Sequence, residues 1–275
     1  MAENNRRILI TGANGGMGRL CTTLAISEGY THLVLTDLPS PQFDQFAASL
    51  RSDNVTVSSH NLDVTDAGAV QSFVDNLGGT AGIDAVIHTV GVSPNMTNWQ
   101  RIIDIDLVST ARFLTAIMPH LGTGCGAVCI SSSSGYMVPT DETIEQLLAN
   151  PLGANFFENI NKKIDNPLEN PGYAYSYAKK ALRQFVATQA VAWGAEGKRL
   201  VSISPGLIDT EAGQAEYKAS KNFSALVSSV PLKRLGLPEE IANTALFLVS
   251  PKASYSSGCD ILVDGGMIAA MGKSV

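Results

Sequence analysis

One pair of side chains in this sequence could move a proton at neutral pH. It is Tyr175 and Lys179, in the run Gly172-Tyr173-Ala174-Tyr175-Ser176-Tyr177-Ala178-Lys179-Lys180-Ala181-Leu182. In a helix, residues four apart stack on one face, so the phenol and the ammonium come within reach of each other. A free phenol ionises near pH 10, and lowering that by about 3 pH units takes roughly 4 kcal/mol. A positive charge about 4 Å away supplies about that much at an effective dielectric near 20. The pair therefore suits proton donation and acceptance in alcohol and carbonyl chemistry. The same spacing recurs at Tyr217 and Lys221, so context must choose between the two.

Composition limits what can position such a pair. At 275 residues, with 45% hydrophobic and 16% charged content, the chain has apolar material for one well-buried domain over 1–275. No composition break marks a linker and no internal repeat divides it. A formal net charge of -6 argues against nucleic acid or an anionic membrane as partner. No apolar run approaches the length of a membrane span, and the first residues lack the apolar core of a signal peptide. Cys21, Cys125, Cys129 and Cys259 form no Cys-x-x-Cys pair, which fits buried thiols in a reduced, cytoplasmic setting. His32, His60, His88 and His120 show no ligand spacing, so no metal site is expected.

The first half reads as a nucleotide-binding unit. Arg6–Ile10 has strand character, Thr11-Gly12-Ala13-Asn14-Gly15-Gly16-Met17-Gly18 forms a turn, and Arg19–Glu28 is a helix with Leu20, Leu24 and Ala25 on one face. Such a turn lets backbone N–H groups approach a pyrophosphate at the positive end of the helix. Asp37 ends the strand His32–Thr36, about twenty residues past the last glycine, where a carboxylate binds the adenosine ribose hydroxyls. The same charge repels a 2′-phosphate, and no basic residue follows in Leu38-Pro39-Ser40, so the expected cofactor is NAD. A strand at Val55–Ser58, a helix at Asp66–Leu77 and a strand at Asp84–His88 continue the alternation. That pattern implies an α/β fold with a parallel sheet covered on both faces. Asn61-Leu62-Asp63-Val64 follows the third strand, at one edge of the adenine crevice.

With Thr11-Gly12-x-x-x-Gly16-x-Gly18, Asp63-Val64, Tyr175-x-x-x-Lys179 and Pro205-Gly206 in that order, the chain resembles the short-chain dehydrogenase/reductase family over nearly its whole length. The resemblance implies a single-domain, Rossmann-type, doubly wound sheet, hydride transfer to or from a small alcohol or ketone, and assembly as a homo-oligomer. It also implies that the cofactor lies against Gly12, Asn14, Gly15, Gly16, Met17, Gly18, Asp37, Leu38, Asp63, Val64, Gly91, Tyr175, Lys179, Pro205, Gly206, Ile208 and Thr210. Trp99–Leu121 reads as one long helix and Ala127–Ile130 as the strand after it. By resemblance, Ser132 in the following Ser131-Ser132-Ser133-Ser134-Gly135 would hold the substrate oxygen beside Tyr175; the residues alone leave Ser131 and Ser133 as alternatives. Tyr175 precedes the Pro205-Gly206 turn, as in the family. Tyr217 follows it, in a flap over substrate or simply at the surface.

Three places depart from the family pattern. After the fourth strand the chain has His88-Thr89-Val90-Gly91, where only the glycine matches, and His88 reads as a packed strand-end histidine. Asp106 stands where the family has a catalytic asparagine; it either alters the proton relay or sits on a polar helix face. Val201-Ser202-Ile203-Ser204 lacks the usual asparagine before Pro205. In addition, residues 139–171 form an insertion between Ser132 and Tyr175. Thr140 with Asp141 and Glu142 suits a helix start ahead of Ile144, Leu147 and Leu148, and Phe157, Ile160 and Ile164 form a second stripe. The insertion would wall an apolar substrate pocket, cover helices that the family uses for assembly, or decorate the surface. With Ala190-Val191-Ala192-Trp193-Gly194 and the ending Ser250-Pro251-Lys252-Ala253-Ser254-Tyr255 through Asp264-Gly265-Gly266, it makes the chain similar to the bacterial 3α-hydroxysteroid dehydrogenase/carbonyl reductase branch. The expected substrate is then a cyclic apolar alcohol or ketone. An aromatic dihydrodiol, a small diketone, or a non-catalytic role in sensing NAD(H) are the alternatives.

Overall fold

The structure, a computed structural model, describes residues 6–77, 82–163, 166–210, 213–214 and 223–272. The first half comprises β1 (Arg6–Thr11), α1 (Gly16–Ser27), β2 (Tyr30–Asp37), α2 (Pro41–Ser49), β3 (Thr56–Asn61), α3 (Ala67–Asp75) and β4 (Ile83–His88). A long helical rod follows, made of α4 (Trp99–Ile103), a π-helical turn (Asp104–Ser109) and α5 (Thr110–Ile117). Then come β5 (Leu121–Ile130), α6 (Glu142–Leu148), α7 (Phe156–Asn161), α8 (Pro171–Ala195), β6 (Arg199–Pro205), α9 (Phe223–Ser229), α10 (Pro238–Val249), β7 (Asp260–Val263) and α11 (Met267–Ala270).

All seven strands join one parallel sheet in the order β3-β2-β1-β4-β5-β6-β7. Strand side chains alternate between the two faces, and both faces are buried: Leu9 enters one apolar layer with α3, α5 and α8, while Ile8 and Ile10 enter the other with α1 and α10. In that second layer Cys21 and Ala25 of α1 share a cluster with Ile241, Ala242 and Ala245 of α10. The Rossmann-type, doubly wound sheet is thus present as expected. No helix among the described residues is long and apolar enough to cross a membrane.

Several boundaries differ from those read in the sequence. The helix expected over Trp99–Leu121 is interrupted, because Ser109 Oγ (2.7 Å) and Thr110 Oγ1 (3.3 Å) donate to the Ile105 carbonyl within a widened turn. The rod ends in a short 3₁₀ turn at Met118–His120, so Leu121 begins β5 well before Ala127. Helix α1 starts at Gly16, directly in the glycine turn. Asn61 and Pro205 belong to strands, and β7 starts at Asp260 instead of Cys259. Helix α2 was not anticipated, although its signals are plain: Pro41 takes the first turn, and Ser40 Oγ accepts the Phe43 N–H at 3.2 Å.

The insertion is ordered over its described residues. Asp141, not Thr140, caps α6 by accepting the Ile144 N–H at 3.1 Å. Ile144, Leu148, Phe156, Ile160 and Leu168 are all buried in the layer that holds α5 and α8. Each such side chain stabilises the fold by about 1.5–3 kcal/mol. Phe157 packs against that layer, and Ile164 lies outside the described residues. Clefts run along the insertion against Ala116 of α5 and against Ala181 and Phe185 of α8.

Candidate active site

The chain leaves β1 to build β2 and β3 on one side of the sheet, and returns to place β4 on the other. At such a reversal the loops after β1 and β4 part and open a crevice at the carboxyl ends of the strands. Gly12 opens the first loop with φ +69°, and a Cβ on it would meet Thr89 Oγ1 at 2.8 Å. A side chain on Gly18 would enter the Gly12 carbonyl, so α1 can press against the turn only with glycine there. Gly15 caps α1 with no side-chain bond, and Gly16 faces open space. The helix start is therefore bare of side chains at Gly15 and Gly16, which fits a pyrophosphate resting on its N–H groups.

Asp37, at the end of β2, accepts the Asn14 N–H at 2.7 Å and the Leu38 N–H at 2.8 Å. Arg19, unremarked in the sequence, ties the turn down: its Nε donates to the Asn14 carbonyl at 2.9 Å, and its guanidinium lies 4.4 Å from the Phe46 ring centroid. Asp37, Leu38, Asp63 and Val64 border a cavity of about 290 Å³ together with Gly12, Gly15 and Gly91. Burial would push Asp63 up, but two bonds from Thr65 and the nearby Arg101 outweigh it and hold the carboxyl below its ordinary range.

The other end of the crevice is built by α8. Asn170 accepts the Gly172 and Tyr173 N–H groups and Pro171 follows it, which fixes where the helix begins. Ala174, Ala178 and Leu182 point into the core, and Lys179 is carried inward with them until only 3% of it is exposed. Its Nζ donates to the Ile130 carbonyl at 3.0 Å, lies 3.3 Å from Asp106 Oδ1, and sits 5.5 Å from the Tyr175 ring centroid. Burial alone would lower the Lys179 pKa. The Asp106 carboxylate and Tyr175 outweigh it and hold the ammonium above its ordinary range. Asp106 is wholly buried on the π-helical turn, where burial raises its pKa against the pull of Lys179. It does not sit on a polar helix face, and its own carboxylate meets Lys179. Gly91 makes room for this pair: a Cβ there would lie 2.8 Å from Asp106 Oδ1 and 3.4 Å from Lys179 Nζ.

The four serines separate by what holds them. Ser131 Oγ donates to the Lys179 carbonyl at 2.9 Å, and Ser133 is buried away from the crevice. Ser132 borders the crevice, its Oγ accepting from Ser134 N and Ser134 Oγ. Among the described tyrosines near the site, Tyr177 donates to the Pro139 carbonyl at 3.1 Å, and Tyr175 borders the cavity. That cavity, of about 220 Å³, is lined by Met17, Val90, Val92, Ile130 and Ile208 beside Ser132, Tyr175 and Lys179. Pro205, Gly206 and Thr210 close one side of it, with Thr210 Oγ1 accepting the Gly213 N–H at 3.0 Å. None of the described insertion residues lines it, so those residues do not wall this pocket. Tyr217 and Lys221 lie outside the described residues.

Two supports escaped the sequence reading. Arg183 donates to the Gly135 carbonyl at 2.9 Å with its guanidinium 3.4 Å from the Tyr136 ring centroid, and Tyr136 donates to Asp260 at 2.7 Å. Together they pin the turn after Ser132 to α8 and β7. Burial and then the Asp260 carboxylate push the Tyr136 phenol up to about 12, so it stays protonated. His88 is buried between Thr11 Oγ1 (2.7 Å) and Thr110 Oγ1 (3.1 Å) and stacked on Phe113. Burial and the Lys179 charge lower it to about 3, so it is a neutral packing residue.

The family description "short chain dehydrogenase" matches residues 6–143, and "Enoyl-(Acyl carrier protein) reductase" matches residues 164–268. The chain is 28% identical to the uncharacterized oxidoreductase YxbG of Bacillus subtilis, over 96% of this chain and 92% of that one. It is 30% identical to the 3-alpha-hydroxysteroid dehydrogenase/carbonyl reductase of Comamonas testosteroni, over 75% of this chain and 81% of that one. Among solved structures, a short-chain dehydrogenase/reductase from Brucella melitensis described as a glucose/ribitol dehydrogenase superposes with a TM-score of 0.74, at 28% identity and 96% coverage of both chains.

Proposed function

This chain belongs to the short-chain dehydrogenase/reductase family of oxidoreductases, and from that premise we propose that it interconverts a secondary alcohol and a ketone with NAD(H), on a cyclic apolar substrate such as a hydroxysteroid. The observation that carries the reading is the meeting of Tyr175, Ser132 and a buried, charged Lys179 at one cavity on the carboxyl edge of the sheet. Bound NAD supplies the hydride acceptor for oxidation, and NADH the donor for reduction. The glycine turn, Asp37, Asp63 and Val64 would hold the adenosine half, with Pro205, Gly206, Ile208 and Thr210 beside the nicotinamide half. Asp37 supports NAD over NADP, since its carboxylate accepts backbone N–H bonds at the place where a 2′-phosphate would need a cation.

In oxidation Tyr175 takes the hydroxyl proton of the substrate. The Lys179 ammonium favours the phenolate that can do so. Ser132 donates to the substrate oxygen and keeps it against Tyr175 while the carbon–oxygen double bond forms. In reduction the same groups run in reverse, with the Tyr175 proton ending on the new alcohol. The apolar lining from Val90, Val92, Ile130 and Ile208 supports a hydrocarbon ring system, and the Comamonas testosteroni relative acts on a hydroxysteroid by its name.

The test is nicotinamide absorbance over time with NAD+ or NADP+ and a panel of hydroxysteroids and cyclic alcohols, run beside Tyr175→Phe. Turnover is expected with NAD+, and its loss by about 10²–10⁴-fold in the variant while NADH still binds. A variant that turns over like the parent would move the chemistry elsewhere.

A further inference from the structure

The pairing of Asp106 with Lys179 has a consequence for the proton that Tyr175 carries. Lys179 Nζ has the Ile130 carbonyl, Asp106 Oδ1 and the Tyr175 ring around it. The other titratable groups that face it are His88 on β4 and Cys129 on β5. Both are buried and neutral at working pH: His88 is lowered to about 3, and the Cys129 thiol is pushed up to about 12 by burial. Asp106 is thus the one carboxylate set against this lysine among the described residues. Its Oδ1 accepts from both Lys179 Nζ (3.3 Å) and the Val92 N–H (3.0 Å). Its buried Oδ2 has no hydrogen-bond partner, and this burial works against the charge that the two donors on Oδ1 hold in place. The ammonium and the backbone N–H on Oδ1 are the contacts that suit the ionised acid.

We propose that Asp106 acts as a positioning residue whose negative charge, bonded to Lys179, offsets the ammonium and sets the pH at which the site releases its proton higher than a neutral side chain there would. The inference rests on the reading of Tyr175 as proton acceptor and donor. Its logic does not depend on how the proton is shared between Tyr175 and Lys179. With Asp106 ionised, the buried trio goes from neutral to negative when the first proton leaves. With a neutral residue there, it goes from positive to neutral. Removing a negative charge lowers every ionisation of a coupled set. A charge within about 10 Å, at an effective dielectric near 20, moves a neighbour's ionisation by about one pH unit. The asparagine usual in the family is nearly the same size, so Asp106→Asn isolates the charge.

The experiment is a pH titration of tyrosinate absorbance, taken as the difference between each protein and its Tyr175→Phe counterpart, in the parent, Asp106→Asn and Asp106→Ser. It needs folded protein and no substrate, so it stands apart from the turnover test above. Either neutral variant is expected to move the Tyr175 midpoint down by about one pH unit, and the acid limb of alcohol oxidation should move with it. A midpoint that stays put or rises in the folded neutral variants overturns the inference even if Tyr175→Phe abolishes turnover. If Tyr175→Phe leaves turnover intact while the midpoint still moves, the functional reading fails and the electrostatic coupling stands.

Discussion

Aspartate serves both ends of the crevice, in contrasting surroundings. At the end proposed for the adenosine, Asp37 closes β2 and Asp63 follows β3 near the rim, and the Asp63 side chain keeps 44% of its surface exposed. Their partners there are backbone N–H groups, a threonine hydroxyl and a solvated arginine. At the other end, Asp106 has no exposed surface and is bonded to a buried ammonium. Water screens the first pair, so they act at hydrogen-bonding range. Little water screens the third, so its worth is in the field it casts on its neighbours. Residue type alone does not set how a carboxylate acts; burial decides whether water screens its charge or neighbours feel it.

Substitutions that treat the two ends alike test this contrast. The largest effect is expected from Gly91→Ala, because the added methyl must displace Asp106 Oδ1 or Lys179 Nζ. We expect a fall in kcat of about 10²-fold, measured under saturating substrate and cofactor. Asp37→Ala comes next, with about tenfold or greater loss of NAD+ affinity, read by fluorescence titration, and kcat at saturating cofactor nearly unchanged. Asp63→Asn should be smallest, within about threefold in cofactor KM, since an exposed carboxylate already paired with Arg101 has little net interaction left to lose. The contrast breaks if Asp63→Asn costs more than Asp37→Ala, or if Gly91→Ala changes only cofactor affinity.

The adenosine end was legible in the sequence because it is built from local signals. A glycine turn, a strand-end acid and the spacing between them need no knowledge of the rest of the chain, and the parallel sheet covered on both faces follows from the strand–helix alternation. The Tyr175 and Lys179 pair was legible for the same reason, since one helix sets their spacing. What escaped depends on contacts between distant segments. Whether Asp106 faces solvent or Lys179 turns on a π-helical turn stabilised by Ser109 and Thr110 hydroxyls, which helical periodicity does not report. What separates Ser132 from Ser131, both at the cavity, is the bond from Ser131 to the Lys179 carbonyl, across 48 residues of chain. The insertion's amphipathic stripes announced order but not address: they bury against α5 and α8, away from the cavity. Arg183 and Tyr136 carry no motif at all.

The packing of α1 on α10 also matters while the chain is being made. Translation runs from the amino end, so the helix that carries the glycine turn leaves the ribosome long before the helix that covers Cys21 and Ala25. Until residues 238–249 emerge, that side of α1 has no mate, and a nascent chain in this state presents apolar surface to chaperones and proteases. A product cut short before Pro238 would keep every residue of the glycine turn but lack the apolar face that α10 lays against the helix behind it.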